Sequence, residues 1–278
     1  MKGAIWLASY PRSGNTWTRL ALRSLQGGGE AIDLDDIYGF SPMGTRRELL
    51  DTWLEAETSH LTDTEIDELR PDFHATFFGQ APAPLPSKVH DAWLRTRSGR
   101  PIFDAAATWA TIYLVRDPRD VAVSWARFVG ISHDAAIAFL GNPEAALDAR
   151  DGRIAQQVRQ KMGTWSTHVT SWIDESGLAP LVIRYEDMLA DPAAAYRLML
   201  ERIGWQANDA QIADAIAATR FERLADKEKR HGFLERAAQT DRFFASGRSG
   251  NWRDKLTHAQ VARIEHDHGP VMARFGYL

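Results

Sequence analysis

Two short stretches carry residue types suited to holding an anion and moving a group. The first is Tyr10-Pro11-Arg12-Ser13-Gly14-Asn15-Thr16-Trp17, which follows an apolar run and precedes a helical pattern. Gly14 permits a tight backbone turn. The amides entering the helix have no intrahelical partner and point outward, and the helix dipole adds partial positive charge there. Arg12 supplies a full charge, Ser13, Asn15 and Thr16 supply side-chain donors, and Trp17 offers a ring face on which a base can stack. The loop is not a Walker A loop, because Gly14 is followed by Asn15-Thr16 with no lysine. An ordinary polar turn between strand and helix is the competing reading.

The second stretch is Ser87-Lys88-Val89-His90, after the proline-rich Ala81 to Pro86. Read as a short strand, it projects Lys88 and His90 to one side, since they are two residues apart. A base and a cation projecting together suit group transfer; a half-exposed strand histidine is the plain alternative. Of the nine histidines, the run Glu265-His266-Asp267-His268 is the one that suggests a metal. Neighbours at i and i+2 do not share a helix face, however, so no metal site is assigned. The chain has no cysteine. That excludes disulfides, thiolate metal sites and a thiol nucleophile.

These residues need elements to position them. Ala4 to Ser9 reads as a buried strand and Thr16 to Leu25 as the helix after it. Thr111 to Val115 is a second strand. Asp117-Pro118 then caps a helix running to about Val129. Leu181 to Tyr185 is a third strand, and Asp191-Pro192 opens a helix to Ile203 that stops at Gly204. Thr62 to Glu65 and Thr257 to Gln260 are capping boxes. Gly152 to Glu175 has helical spacing. Strands alternating with helices predict an α/β fold, a single P-loop-like domain over residues 1–278 with a central parallel sheet flanked by helices. In such sheets ligands lie beyond the carboxyl ends of the strands, which points to the residues after Ser9, Val115 and Tyr185.

The 278 residues carry 33 Lys and Arg against 37 Asp and Glu, a net charge of −4. A mildly acidic chain lacks the cationic excess that nonspecific nucleic-acid binding needs, so any anion site is local. Ordinary hydrophobic (44%) and charged (25%) fractions exclude disorder as the main state. No apolar run reaches the ~20 residues of a membrane span. With no signal-peptide pattern and no cysteine, the expected location is cytoplasmic. Ten tryptophans serve equally as core filler or as walls for a flat ligand.

The loop Tyr10 to Trp17 resembles the 5′-phosphosulfate loop of the sulfotransferases, whose usual form is YPKSGTTW. Those enzymes use 3′-phosphoadenosine 5′-phosphosulfate (PAPS) and release 3′-phosphoadenosine 5′-phosphate (PAP). Further matches follow in family order. Tyr113 to Ser124 is similar to the 3′-phosphate element, with Arg116 and Ser124 as its phosphate ligands. Arg184 to Met188 resembles the YEDM element, whose tyrosine, here Tyr185, contacts the nucleotide. Thr219-Arg220-Phe221 resembles the TSF element, with Phe221 stacking on adenine opposite Trp17. Gly247 to Arg253 resembles GxxGDWK, and Ser87 to His90 contains the KxH element.

The resemblance implies that nucleotide binding falls to Arg12, Ser13, Gly14, Asn15, Thr16, Trp17, Arg116, Ser124, Tyr185, Thr219, Phe221, Ser246, Gly247 and Arg248. His90 is then the general base for a hydroxyl or amine acceptor, and Lys88 and Arg12 stabilise the leaving oxygen. Sulfuryl carries less charge than phosphoryl, so no metal is expected.

Four departures stand out. Arg12 replaces the usual lysine, and Arg220 stands where the family often has serine. Ala245-Ser246 replaces the Arg-Lys before the last motif, and Arg242 or Arg248 is the expected substitute. Of the dimer pattern KxxxTVxxxE, only Arg253 and Thr257 match approximately, so the oligomeric state stays open. The acceptor is expected to be a small molecule, apolar or aromatic if Phe73, Phe77, Phe78, Trp93 and Phe139 line its pocket and polar-agnostic if they only pack the core. Two rival readings are a P-loop kinase or NTPase, which the missing Walker lysine disfavours, and a nucleotide-binding scaffold without chemistry, which Lys88 and His90 disfavour.

Overall fold

The computed structural model describes residues 2–148 and 155–278. Four parallel strands form the central sheet: β1 (Ala4–Ser9), β2 (Leu85–Val89), β3 (Thr108–Val115) and β4 (Leu181–Arg184), in the spatial order β2-β1-β3-β4. Every residue of β1 is buried. A strand covered on both faces reads as a continuous apolar run, which is why Ala4 to Ser9 shows no alternation. Its side chains nevertheless divide by period 2. Trp6 and Ala8 join a core with Phe78, Trp93, Trp165 and Trp172, while Ile5 and Leu7 pack on the other face with Leu22, Tyr196 and Met199.

The helices that matter for the site are α1 (Asn15–Gln26), α2 (Asp63–Gln80), α3 (Pro118–Val129), α4 (Phe221–His231) and α5 (His258–Arg274). The expected caps form. Thr62 and Glu65 exchange hydrogen bonds at the start of α2, as do Thr257 and Gln260 at α5. Asp117 accepts from the Arg119 amide with Pro118 in the first turn of α3. The helix Pro192–Ile203 ends on Gly204.

Three expectations on the elements are corrected. The strand expected from Thr111 begins at Thr108, where the Thr108 hydroxyl accepts from Trp6 Nε1 at 2.8 Å and donates to the Asp104 carbonyl. Tyr185 opens a short helix, Tyr185–Ala190, rather than closing β4. The helix expected over Gly152 to Glu175 starts only at Trp165; residues 152–154 lie outside those described. Gln160–Lys161 is instead a strand paired with Ala146–Leu147. Gly163 has a positive φ and Thr164 caps the helix, which explains the late start, and the helix then widens to π geometry over Ser171–Glu175.

The chain leaving β2 is fixed firmly. Asp91 forms a two-bond ion pair with Arg70 of α2, at 2.9 and 2.8 Å, with both side chains 1% exposed. Trp172 Nε1 and the Ala92 amide add hydrogen bonds to Asp91 O and Lys161 O. Removing one member of a buried pair leaves an uncompensated charge. Arg70→Met should therefore lower unfolding free energy by about 3–5 kcal/mol, seen as a fall in the urea midpoint at unchanged m. A midpoint within experimental error of the parent chain would contradict the structural weight given to this pair.

Candidate active site

The turn after β1 is built by two constraints. Asn15 Nδ2 donates back to Leu7 O at 2.8 Å and to Ser9 Oγ at 3.2 Å, tying the start of α1 to the strand. Gly14 has φ +101, and a Cβ there would come within 2.9 Å of the Tyr185 ring. Both a left-handed backbone and a close aromatic neighbour thus require glycine. The first turn of α1 holds no acidic residue and no side-chain cap, so its amides remain available to an anion.

A cleft of about 1970 Å³ opens over this turn. Small-molecule pockets usually measure about 300–1,000 Å³, so there is room for a nucleotide and a second molecule together. Of the residues assigned from sequence, Arg12, Gly14, Asn15, Thr16, Trp17, Lys88, His90, Arg116, Ser124, Tyr185, Thr219, Phe221, Ser246 and Gly247 all line it.

Two do not. Ser13 is 1% exposed and its hydroxyl is buried without a hydrogen-bond partner. Arg248 is exposed, and it is its carbonyl that points inward, accepting from Arg116. The Asn15 side chain is committed to β1, so what it offers a ligand is its backbone amide.

The cations are held by neutral groups. Arg116 donates to Arg12 O and Arg248 O, both at 3.0 Å, and lies 4.2 Å over the Tyr185 ring. Its contact with Asp120 is loose at 3.9 Å, because Asp120 accepts from the amides of Gly250 at 2.6 Å and Trp252 at 3.1 Å. Hydrogen bonds to carbonyls, rather than an ion pair, therefore set where Arg116 points. Arg12 sits at φ +68, donates to Ser124 Oγ at 3.0 Å and lies between the rings of Phe128 and Phe243, 4.6 Å from each. Burial, then Arg127 and Arg116, pulls its pKa down to about 9. Gly247 has φ +57, and a Cβ would come within 2.4 Å of Phe221, so this turn also presses backbone against the expected adenine-stacking ring.

His90 is the first residue past β2. Its Nδ1 lies 2.8 Å from Ser9 O. A carbonyl can only accept, so Nδ1 carries the proton and Nε2 keeps its lone pair. Burial, and then Lys88, holds the ring's pKa well below the usual histidine value. The ring is therefore neutral at pH 7, as a general base must be. His168 Nε2 donates to His90 O at 3.1 Å, and its Nδ1 pairs with the Tyr113 hydroxyl at 2.8 Å. Neither His168 nor Tyr113 was singled out for this role from sequence. The signal was faint, since Tyr113 and His168 meet only through packing of β3 on a distant helix.

Glu235 was also missed. Its carboxylate accepts from Arg19 Nη2 at 2.5 Å, Thr16 Oγ1 at 2.8 Å and Lys88 Nζ at 3.3 Å. Although burial opposes it, Lys88 and Arg19 hold its pKa far below the usual carboxylate range.

Of the two readings left open for the aromatic group, the structure has the packing one. Phe73 and Phe78 are fully buried, Trp93 is 6% exposed, Phe77 packs edge-on to Phe78, and Phe139 stacks on Trp125. Phe73, Phe78 and Trp93 are interior, Phe77 and Phe139 are half-buried against the core, and none of the five lines the cleft. The end of the cleft near Pro42, whose carbonyl accepts from Ser87, is lined by Tyr38, Met43, Arg46, Arg47, Gln157 and Gln160. The acidic and histidine run near the C-terminus diverges: Glu265 accepts from Arg119 and His268 pairs with Ser166. Among the described residues no group of three or more side chains is arranged to hold a metal, and no helix is long and apolar enough to cross a membrane.

Comparison with known proteins places the chain. A family model of the sulfotransferase domain matches residues 102–276, and the chain belongs to the sulfotransferase family. It is 22% identical to flavonol 3-sulfotransferase of Flaveria bidentis, over 94% of this chain and 79% of that one. It is 23% identical to sulfotransferase 1A1 of Rattus norvegicus, over 96% and 83%. Among solved structures it is similar to mouse sulfotransferase SULT7A1 complexed with PAP (TM-score 0.60, 19% identity, 97% of this chain and 84% of that one). It is also similar to retinol dehydratase in complex with androsterone and inactive cofactor PAP (TM-score 0.62, 17% identity, 97% and 80%). The chain is a PAPS-dependent sulfotransferase by family, on the P-loop-like α/β fold expected from its sequence.

The buried histidine behind His90 has a measurable consequence. Burial lowers the His168 pKa to about 4, against about 6.5 in the unfolded chain. Below pH 6.5 the unfolded state therefore binds a proton that the folded state refuses until about pH 4. Stability should fall across that window by up to about 1.4 kcal/mol per pH unit from this residue. Urea unfolding of the parent and of His168→Gln, at pH 7 and pH 5, should show a shallower loss in the variant; equal losses would remove His168 as a source.

Proposed function

We propose that this chain moves the sulfuryl group of PAPS in line to a hydroxyl or amine of a small acceptor, with His90 as general base. The carrying observation is the His90 ring: Nδ1–H fixed on Ser9 O, Nε2 free, and the ring facing the cleft beside Lys88. The residues fit the nucleotide. Open amides at the start of α1 meet its 5′ anion, Arg116 and Ser124 meet its 3′-phosphate, and Trp17, Phe221 and Tyr185 flank the base.

As the acceptor's oxygen or nitrogen bonds to sulfur, its proton passes to His90 Nε2. The bond from sulfur to the bridging phosphate oxygen breaks, and its electron pair stays on PAP. Lys88 stabilises that oxygen. Arg12, which points at Ser124, contributes to the nucleotide's binding and reaches the bridging oxygen only by turning away from that hydroxyl. The charge that a metal supplies in phosphoryl transfer comes here from side chains and amides, so turnover should persist in chelator.

The acceptor end mixes Tyr38 and Met43 with Arg46, Arg47, Gln157 and Gln160. That lining favours an acceptor with polar groups beyond its nucleophile over a purely apolar alcohol.

Single-turnover transfer from PAPS tests the reading. His90→Ala should lower kcat by roughly 10²–10⁴ and leave PAP affinity nearly unchanged. Arg116→Ala should weaken PAP by about 1.5–3 kcal/mol. Wild-type rates in His90→Ala with an acceptor that is un-ionised at neutral pH would take His90 out of the mechanism.

A further inference from the structure

Arg127 lies on α3 three residues beyond Ser124, on the same helix face, and lines the same cleft. Its guanidinium donates to Arg242 O at 2.8 Å and to Phe243 O at 3.2 Å. Arg12 Nη2 reaches that same Phe243 carbonyl at 3.4 Å while Arg12 Nε holds Ser124. Arg12 holds the Ser124 hydroxyl, and Arg116 and Arg127 both lie near enough to repel Arg12.

The acids nearby are committed elsewhere. Asp120 binds the amides of Gly250 and Trp252, and Glu228 binds those of Phe243 and Phe244 at 2.5 and 2.9 Å. The acceptors these guanidiniums use are carbonyls and a hydroxyl. Neutral oxygens orient guanidinium groups without cancelling their charge, and Asp120, 3.9 Å from Arg116, and Glu228, which spend their hydrogen bonds on backbone amides, offset it only in part, so the cluster is matched to a further anion. Arg242 and Arg248 are both exposed and stand outside the cleft lining.

We propose that Arg127 is a nucleotide-binding residue, completing with Arg12, Arg116 and Ser124 the subsite for the 3′-phosphate, in place of the cation absent at Ala245 and Ser246. This rests on the PAPS reading above. Titration calorimetry of the whole chain with PAP and with AMP, which lacks the 3′-phosphate, tests it. Arg127→Gln should weaken PAP roughly 10- to 100-fold, the scale of a lost charged hydrogen bond, and leave AMP within about threefold. Arg127→Lys should recover part of the loss. PAP affinity unchanged in Arg127→Gln, or an equal loss for AMP, overturns the assignment while the nucleotide reading stands. A wild-type chain that binds PAP no better than AMP removes the nucleotide reading and this subsite together.

An independent observation lies where α1 begins, beside Lys88. Glu235, in the segment between α4 and Phe243, places its carboxylate on Thr16 Oγ1, Lys88 Nζ and Arg19 Nη2, with its side chain 11% exposed. Thr16 and Lys88 are the groups that a 5′-phosphosulfate requires. A carboxylate and a phosphosulfate on the same donors would repel each other.

We infer that Glu235 is an internal anion that fills the 5′ end of the empty site and is displaced when nucleotide enters. The same PAP titration reads it, together with amide hydrogen exchange. Glu235→Gln should bind PAP roughly tenfold more tightly, since the competing charge is gone. In the wild type, saturating PAP should speed exchange at residues 233–238 while slowing it at 246–250. Unchanged or weaker PAP binding in Glu235→Gln, or PAP-induced protection of 233–238, overturns the inference. Neither result bears on whether wild type binds PAP, which the first titration decides.

Discussion

Arg12 and Arg116 leave the ends of adjacent strands β1 and β3 and meet above the sheet, close enough to repel each other and Arg127. Gathering like charges in a half-buried cleft raises the free energy of the empty protein. The surrounding chain offsets this without neutralising it. Carbonyls of Arg12, Phe243 and Arg248 accept from the guanidiniums, and aromatic faces of Phe128, Phe243 and Tyr185 lie against them. Acid partners would have cancelled the field that an anion is meant to find. The use of carbonyls and rings keeps that field available.

That solution requires the segment 242–252 to be folded over the cleft, since it supplies the Phe243 and Arg248 carbonyls. Asp120 secures it by accepting from the amides of Gly250 and Trp252. Asp120 is 1% exposed and only four residues beyond Arg116. It therefore tempers the repulsion through its loose 3.9 Å contact with Arg116 while spending its hydrogen bonds on backbone. One side chain thus couples α3, the nucleotide cleft and the C-terminal loop, and the turn at Gly247 brings that loop against Phe221.

Most of the fold, and most of the residues that line the cleft around the turn after β1, were legible in the sequence, because those residues act locally. A strand, a glycine turn and a capped helix follow one another without a break at Tyr10 to Trp17, and Asp117-Pro118 announces α3 in the same way. What could not be read depends on contacts between distant segments. Glu235 lies 219 residues from Thr16 and belongs to no local pattern. Arg127 looked like any helix arginine until α3 was placed beside Phe243. The acceptor lining stayed open for the converse reason: Phe73 and Phe78 lie on the buried face of a helix turned to the core, and composition does not reveal which way a helix turns.

His90 shows how far the proposed chemistry depends on this distant packing. Which of its nitrogens keeps a lone pair is set by a carbonyl of β1, because only a protonated Nδ1 can bond to Ser9 O. The chain that carries it is then locked on every side: by His168 on its carbonyl, by Trp172 on the carbonyl of Asp91, and by Arg70 on the Asp91 carboxylate. A base on a mobile loop would lose its alignment with the acceptor's proton. Here the parallel pairing of β2 beside β1 delivers the ring to the end of the neighbouring strand, at the same edge where α1 presents its amides. The Tyr10 to Trp17 turn and the His90 ring are therefore held in register by the sheet itself, and a shift of one strand pairing would separate them.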